Sequence, residues 1–221
     1  MTTIIVAMTA EGGIGLDREI PWVSQEDMRF FYAETTRKVN GDRWAPPNAV
    51  IMGRETWESL PRALRGRINV VLSARWASMS SEEIARETGG PAPDVVADSF
   101  ASAMDALAEM KRTGEGGGVG RIFAIGGERV FAEALLATGD RACEELIVTH
   151  ILALVPHDRK FPIALAVEAG FAGLAEDPIG GWDATVCDEP LPIYAPACVF
   201  RRYTRTAAAR HDETFKNVPS E

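Results

Sequence analysis

The chain has 221 residues, 46% of them hydrophobic and 25% charged, with a formal net charge of −9 at pH 7. That length can bury a core without metals or disulfides, and the acidity disfavours nonspecific nucleic-acid binding, which relies on neutralising phosphates. No apolar run approaches the ~20 residues of a membrane span. The apolar start over 2–8 reads as a buried strand rather than a cleaved leader, so the expected setting is cytoplasmic.

Three strand-to-glycine transitions organise the elements. A first strand over 3–9 runs into a long loop, Glu11-Gly12-Gly13-Ile14-Gly15-Leu16-Asp17, that continues to Pro21-Trp22. Loops of that length without structure of their own are often lids or binding loops. Ser24 stands at an N-cap position, and Met28, Phe31, Tyr32 and Thr35 follow helical spacing, which predicts a helix over 25–38. A surface loop follows over 40–48. The second transition is a strand over 49–52, then Gly53, then a short helix over 55–60 ended by Pro61.

Further along, a strand over 68–72, a short helix over 81–87 and a strand over 94–97 precede a helix over 99–111 with Phe100, Ala103, Met104, Leu107 and Ala108 on one face. The glycine run over 114–120 precedes a strand instead of following one, so it reads as a flexible connector and not a phosphate loop. The third transition is a strand over 121–125, then Gly126-Gly127, then a helix carrying Val130, Phe131, Ala134 and Leu135. Strands over 145–151 and 198–204 follow, and the polar segment 206–221 reads as a frayed tail. This alternation predicts a single-domain α/β fold with a mostly parallel central sheet flanked by helices. In such sheets ligands bind beyond the carboxyl ends of the strands, where all three glycine transitions fall.

Cys143, Cys187 and Cys198 are odd in number and widely spaced, which favours reduced thiols over a disulfide framework. His150, His157 and His211 lack ligand spacing, so no metal site is expected. Gly53 and Gly126-Gly127 would let phosphates approach helix N-termini, with Arg54, Arg75 and Arg129 nearby. The same glycines also fit plain turns with solvated arginines. Asp27 has two readings as well. With Ser24 it matches a capping box, and with Phe30 and Phe31 nearby it is a carboxylate among aromatics. The second reading predicts a raised pKa and the ability to bind an amidine-like heterocycle while handling a proton.

The ordered set Ile14-Gly15, Pro21-Trp22, Asp27-Met28, Phe31, Met52-Gly53-Arg54-Glu55-Thr56-Trp57-Glu58-Ser59-Leu60-Pro61, Gly66-Arg67-Ile68-Asn69-Val70-Val71-Leu72-Ser73, Ile125-Gly126-Gly127 and Thr149-His150 resembles dihydrofolate reductase, especially its fungal members. The resemblance implies a reductase domain over 1–205 and a separate tail over 206–221. It also implies NADPH as cofactor, dihydrofolate and antifolate-type inhibitors as ligands, and a monomer. By the same resemblance, Asp27 pairs with the pterin ring and promotes protonation at N5 through water near Trp22, with Thr149 supporting the carboxylate. Ile5, Val6, Ala7, Met28, Phe31, Leu60, Leu64 and Ile125 match the substrate walls, and Arg67 matches the residue gripping the glutamate α-carboxylate. Ala7, Ile14 and Ile20 match the nicotinamide side, with Phe131 near that ring, and Gly15, Ile125 and Val130 match cofactor-binding positions. Gly53, Arg54, Thr56, Leu72, Ser73, Arg75, Gly126, Gly127 and Arg129 match the adenosine and phosphate side, with a cis diglycine peptide.

Several residues depart from the family pattern. Glu55 replaces a lysine common near the 2′-phosphate, which puts NADPH preference in question. Phe131 replaces a tyrosine, and Ile20 and Val23 alter the loop. Two rivals stand beside this reading: a pyrimidine-reducing enzyme of riboflavin synthesis with the same fold, and a noncatalytic folate- or NADPH-binding protein.

Overall fold

The computed structural model, which describes residues 2–38, 42, 44–176, 185–186 and 191–206, gathers the apolar runs into a seven-stranded sheet. In chain order, β1 spans Thr2–Thr9, β2 Gly13–Gly15 and β3 Trp22–Val23, before α1 at Gln25–Thr36. Next come β4 (Asn48–Gly53), α2 (Arg54–Ser59), β5 (Arg67–Leu72), α3 (Ser81–Thr88), β6 (Val95–Ala97) and α4 (Phe100–Thr113). They are followed by β7 (Ile122–Gly126), α5 (Glu128–Leu136), β8 (Cys143–Ile151), β9 (Ala153–Leu154), β10 (Arg159–Lys160), α6 (Ile163–Glu168) and α7 (Gly173–Glu176). The last strands are β11 (Thr185–Val186), β12 (Ile193–Tyr194) and β13 (Cys198–Thr204).

The sheet order is β13-β8-β1-β7-β4-β5-β6, and every pairing is parallel except β13 against β8. This is the α/β domain that the alternating pattern predicts. Strand alternation divides its core into two layers. Ile4, Val6, Met8, Ile51, Val70, Leu72 and Ala124 pack with α4 and α5 on one face. Ile5, Val50, Met52, Val71, Phe123 and Ile147 pack on the other, where Phe30 and Phe31 of α1 and Trp57 of α2 cover them. The sheet puts the glycine ends of β4 and β7 side by side, since Met52 pairs with Gly126.

Three elements differ from the sequence expectation. Helix α1 stops at Thr36, two residues early, because a side chain from β4 takes over its end. The buried Asn48 donates from Nδ2 to the carbonyls of Thr35 (2.9 Å) and Arg37 (3.0 Å), satisfying acceptors that a longer helix would have used internally. The long loop after β1 carries structure: β2 pairs with β10, and β3 pairs with β12. The glycine run is closely packed at its end, where a Cβ on Gly120 would lie 2.5 Å from Asn48 Oδ1. The described part of the 206–221 tail is Thr206 alone, which donates to the Gly170 carbonyl at 3.0 Å; 207–221 lie outside the described residues.

Helix α1 is tied to the sheet by charge as well as by aromatic packing. The Glu34 carboxylate, nearly buried, pairs with Arg202 of β13 at 2.6 Å, and Arg202 also reaches Glu145 of β8 at 2.9 Å. Arg121 pairs with the same Glu145 at 2.8 Å. A network of this kind restrains several elements together, unlike an isolated surface pair. It fixes the helix whose first turn carries Asp27.

Candidate active site

Asp27 sits in the first turn of α1, where the Ser24 hydroxyl accepts the Asp27 N–H at 3.2 Å. The capping reading is therefore correct for the backbone, and it leaves the side chain free for other work. That carboxyl is pushed above its ordinary value by burial, partly offset by a hydrogen bond from Thr149. Thr149 is buried in β8 and pairs in register with Ala7 of β1. The parallel pairing of β1 and β8 thus delivers a hydroxyl from far along the chain to the helix carboxylate. Trp22, also buried, packs with Ile151, Ala153, Val155 and Ile193, and Ala7 lies against that group.

Ile5, Phe31, Leu60, Leu64 and Ile125 share one apolar cluster with Trp57. Val6 does not join them, because period-2 alternation turns its side chain into the opposite layer. Its contribution on this side is limited to backbone. Met28 and Tyr32, which spacing assigned to a helix face, are 58% and 59% exposed. They line an open groove of about 470 Å³ with Val23, Ser24, Gln25 and Arg29 along the outer flank of α1, whose lining does not include Asp27. That helix face is therefore a wall of the groove and not core.

Arg67 opens β5. It is buried at 9% exposure, donates from Nη1 to Thr35 Oγ1 at 2.8 Å and from Nε to the Arg65 carbonyl at 3.2 Å. Its guanidinium lies 5.8 Å from the Phe31 ring centroid and 5.5 Å from that of Tyr32. Burial pushes its pKa below the usual arginine value, yet an arginine stays charged at neutral pH. The hydroxyl, carbonyl and rings orient the cation without neutralising it. Thr35 was assigned no such role from sequence; helical spacing placed it on α1, and only the fold brings β5 beneath it.

Two of the three glycine turns, at Gly53 and at Gly126-Gly127, come together. A Cβ on Gly53 would stand 3.7 Å from Val130 and 3.8 Å from the Gly127 nitrogen, and one on Gly127 would stand 3.7 Å from Thr56 Oγ1. Gly126 has φ +123°, and a Cβ there would meet the Phe131 ring at 3.4 Å, so both its conformation and its space call for glycine. The Gly126-Gly127 peptide is cis. Backbone from β4, α2 and β7 thus forms one close-set cradle, a fit for a phosphate-bearing cofactor. Ile14, Leu72, Val130 and Phe131 lie in the layer on the far side of the sheet from Ile5, and Gly15 pairs with Arg159 in β10. Ile20, at 57% exposure, projects from the loop.

Each arginine near this cradle already has a carboxylate partner. Arg54 reaches both oxygens of Glu58 at 2.7 Å, Arg129 pairs with Glu133 at 2.7 Å and Arg75 with Glu87 at 2.5 Å. Glu55 does not stand as an isolated acid, since Arg18 of the loop lies 3.8 Å away and Arg54 4.0 Å. The loop itself is held by Asp158, whose carboxylate accepts the Asp17 N–H at 3.3 Å. No local signal in the sequence singled out Asp158 or Glu87.

A family model described as dihydrofolate reductase matches residues 1–169. A dihydrofolate reductase from Cryptococcus neoformans is 37% identical over 137 residues, covering 61% of this chain and 55% of that protein. A putative dihydrofolate reductase from Caenorhabditis elegans is 34% identical over 151 residues, covering 67% and 70%. A bifunctional dihydrofolate reductase-thymidylate synthase from Leishmania major is 35% identical over 172 residues, covering 72% of this chain and 32% of that longer protein. The match therefore spans about a third of the Leishmania protein's length.

Proposed function

The chain belongs to the dihydrofolate reductase family, and from that premise we propose that it reduces 7,8-dihydrofolate to 5,6,7,8-tetrahydrofolate with NADPH, in the cytoplasm, as a step of one-carbon metabolism. Residues 1–205 form the catalytic unit in this reading, acting as a monomer. The observation that carries it is Asp27: a carboxyl whose pKa is raised by burial and whose side chain is bonded to Thr149.

NADPH, when bound, supplies the hydride that C6 of the pterin receives. The protein's residues do the rest. Asp27 accepts hydrogen bonds from the pterin N3–H and 2-amino group, which draws a proton toward N5. Burial raises its pKa, so it holds a proton more readily than a free carboxyl does. Thr149 fixes the carboxylate plane. Ile5, Phe31, Leu60, Leu64 and Ile125 exclude water from the ring, with Met28 along the open flank, and Arg67 binds the terminal carboxylate through its planar fork. Antifolate-type inhibitors would use the same carboxylate through an amidine-like edge.

Ile14, Ile20, Val130 and Phe131 line the nicotinamide side. The cradle of Gly53, Thr56, Gly126 and Gly127 takes the phosphates, and Arg54, Ser73, Arg75 and Arg129 surround the 2′-phosphate. The test is the loss of NADPH absorbance on adding dihydrofolate, repeated with NADH. Rapid oxidation with NADPH and slow oxidation with NADH is expected. Tight folate binding without oxidation of either would leave only a binding protein.

A further inference from the structure

The three arginines of the phosphate cradle are not held alike. Arg54 and Arg129 each pair with a carboxylate one turn along their own helix, Glu58 and Glu133. Arg75 is held by Glu87 from a different element, α3, and that carboxylate has a second attachment. Glu87 Oε2 accepts from Arg75 Nη2, while Oε1 accepts from the indole Nε1 of Trp76 at 3.2 Å. Trp76 is fully buried, so one end of the bridge is anchored in the core.

Both backbones beneath the bridge are fixed as well. After β5, Ser73 donates its N–H to Ala97 of β6 at 2.8 Å and accepts the Trp76 N–H on its hydroxyl at 3.2 Å. The short 3-10 turn at Trp76–Ser78 starts from Arg75, whose carbonyl accepts the Ser78 hydroxyl at 3.0 Å. Helix α3 begins with a capping box on Ser80 and buries Ile84 in the same cluster as Trp76. The Arg75 side chain remains 67% exposed, against 28% for Glu87. Glu87 takes Nη2, and a guanidinium has five N–H donors in a rigid fork, so other donors are offered to solvent.

We propose that Glu87 is a positioning residue for cofactor choice: anchored on the Trp76 indole, it orients Arg75 to receive the 2′-phosphate that distinguishes NADPH from NADH. The inference rests on the reading of this cleft as an NADPH site. An exposed arginine ordinarily loses rotamer freedom when it binds a ligand, and one held in place beforehand loses less. The benefit falls only on the ligand that carries the extra phosphate.

The experiment measures NADPH and NADH dissociation constants by tryptophan fluorescence quenching for the whole chain, Glu87→Gln, Arg75→Gln and the double variant. Glutamine keeps an oxygen for the Trp76 indole but turns a donor toward Arg75, so the bridge loses one end only. Glu87→Gln should weaken NADPH roughly 3- to 10-fold, the range for freeing one ordered side chain, and leave NADH unchanged. The double variant should be no weaker than Arg75→Gln alone, because both act through one guanidinium. Equal weakening of both cofactors would reduce Glu87 to a structural role, and tighter NADPH binding would make it a competitor; either overturns the proposal. If Arg75→Gln leaves the NADPH preference intact, Arg75 is not a phosphate receptor and the role of Glu87 falls with it. An unmodified chain that binds both cofactors equally would instead overturn the cofactor reading beneath it.

Discussion

The proposed substrate end and the proposed cofactor end hold their charges by opposite means. At the substrate end Asp27 is bonded to a threonine hydroxyl, and Arg67 to a threonine hydroxyl and a carbonyl. Neutral partners fix direction and leave the full charge for a ligand. At the cofactor end Arg54, Arg75 and Arg129 are each matched to a carboxylate. Those arginines are exposed enough that water screens the pairs, and such pairs contribute ~0–1 kcal/mol. A phosphate can therefore compete with Glu58 and Glu133 for Arg54 and Arg129, whereas Arg75 keeps donors free beside its bridge to Glu87. The difference predicts that single substitutions matter far more beside Asp27 and Arg67 than among the paired arginines.

The largest expected effect is at Asp27. Asp27→Asn should lower dihydrofolate turnover at neutral pH by ~10²–10⁴, the span of general acid–base groups, while NADPH binding persists. The deficit should shrink as pH falls, since substrate protonated in solution needs less help. Near-normal turnover in a pH–rate profile would return Asp27 to its helix-capping duty alone. Arg67→Gln comes next. Losing a charge-assisted hydrogen bond, ~1.5–3 kcal/mol, should raise the KM for dihydrofolate roughly 10- to 100-fold with kcat little changed, because the contact is made equally before and during reaction. A parallel fall in kcat would show that Arg67 also aligns the ring.

How far the sequence reveals each end follows from the range of the interactions. Strands and helices of the main sheet were legible, since alternation and helical spacing are local; only their ends moved. Helix α1 ends early because Asn48 arrives from β4, and no property of 25–38 reports that. The pairing of β3 with β12 was illegible for a similar reason, as two-residue strands have no period. At the cofactor end, Arg54–Glu58 and Arg129–Glu133 stand at helical i,i+4 spacing and can be read directly. Arg75–Glu87 cannot, because it depends on α3 folding back against the turn after β5. At the substrate end, Asp27 among aromatics was visible as a candidate with two readings. Its support from Thr149 came from the family resemblance and not from any local pattern, and the orientation of Arg67 by Thr35 needed the fold.

The smallest effect sharpens the comparison by measuring stability instead of rate. Burial raises the Asp27 pKa above its ordinary value of 3.8. The folded state therefore holds the proton more tightly than the unfolded chain does. Below both values the carboxyl is neutral in each state and contributes nothing. As pH rises from the ordinary value through the raised one, the unfolded chain ionises first, and folding loses stability across that window. At neutral pH the folded protein carries a carboxylate that its surroundings disfavour. Asp27→Asn, neutral throughout, should melt higher than the unmodified chain at pH 7, with the difference fading as pH is lowered toward 4. Thermal melting across that range checks the sign. Arg129→Gln, which breaks an exposed pair at the cofactor end, should show no such pH-dependent gain. A melting temperature for Asp27→Asn that falls below the unmodified chain at pH 7 would mean that Thr149 and the helix N-terminus outweigh desolvation, and that the carboxylate is as well accommodated as the charges at the other end.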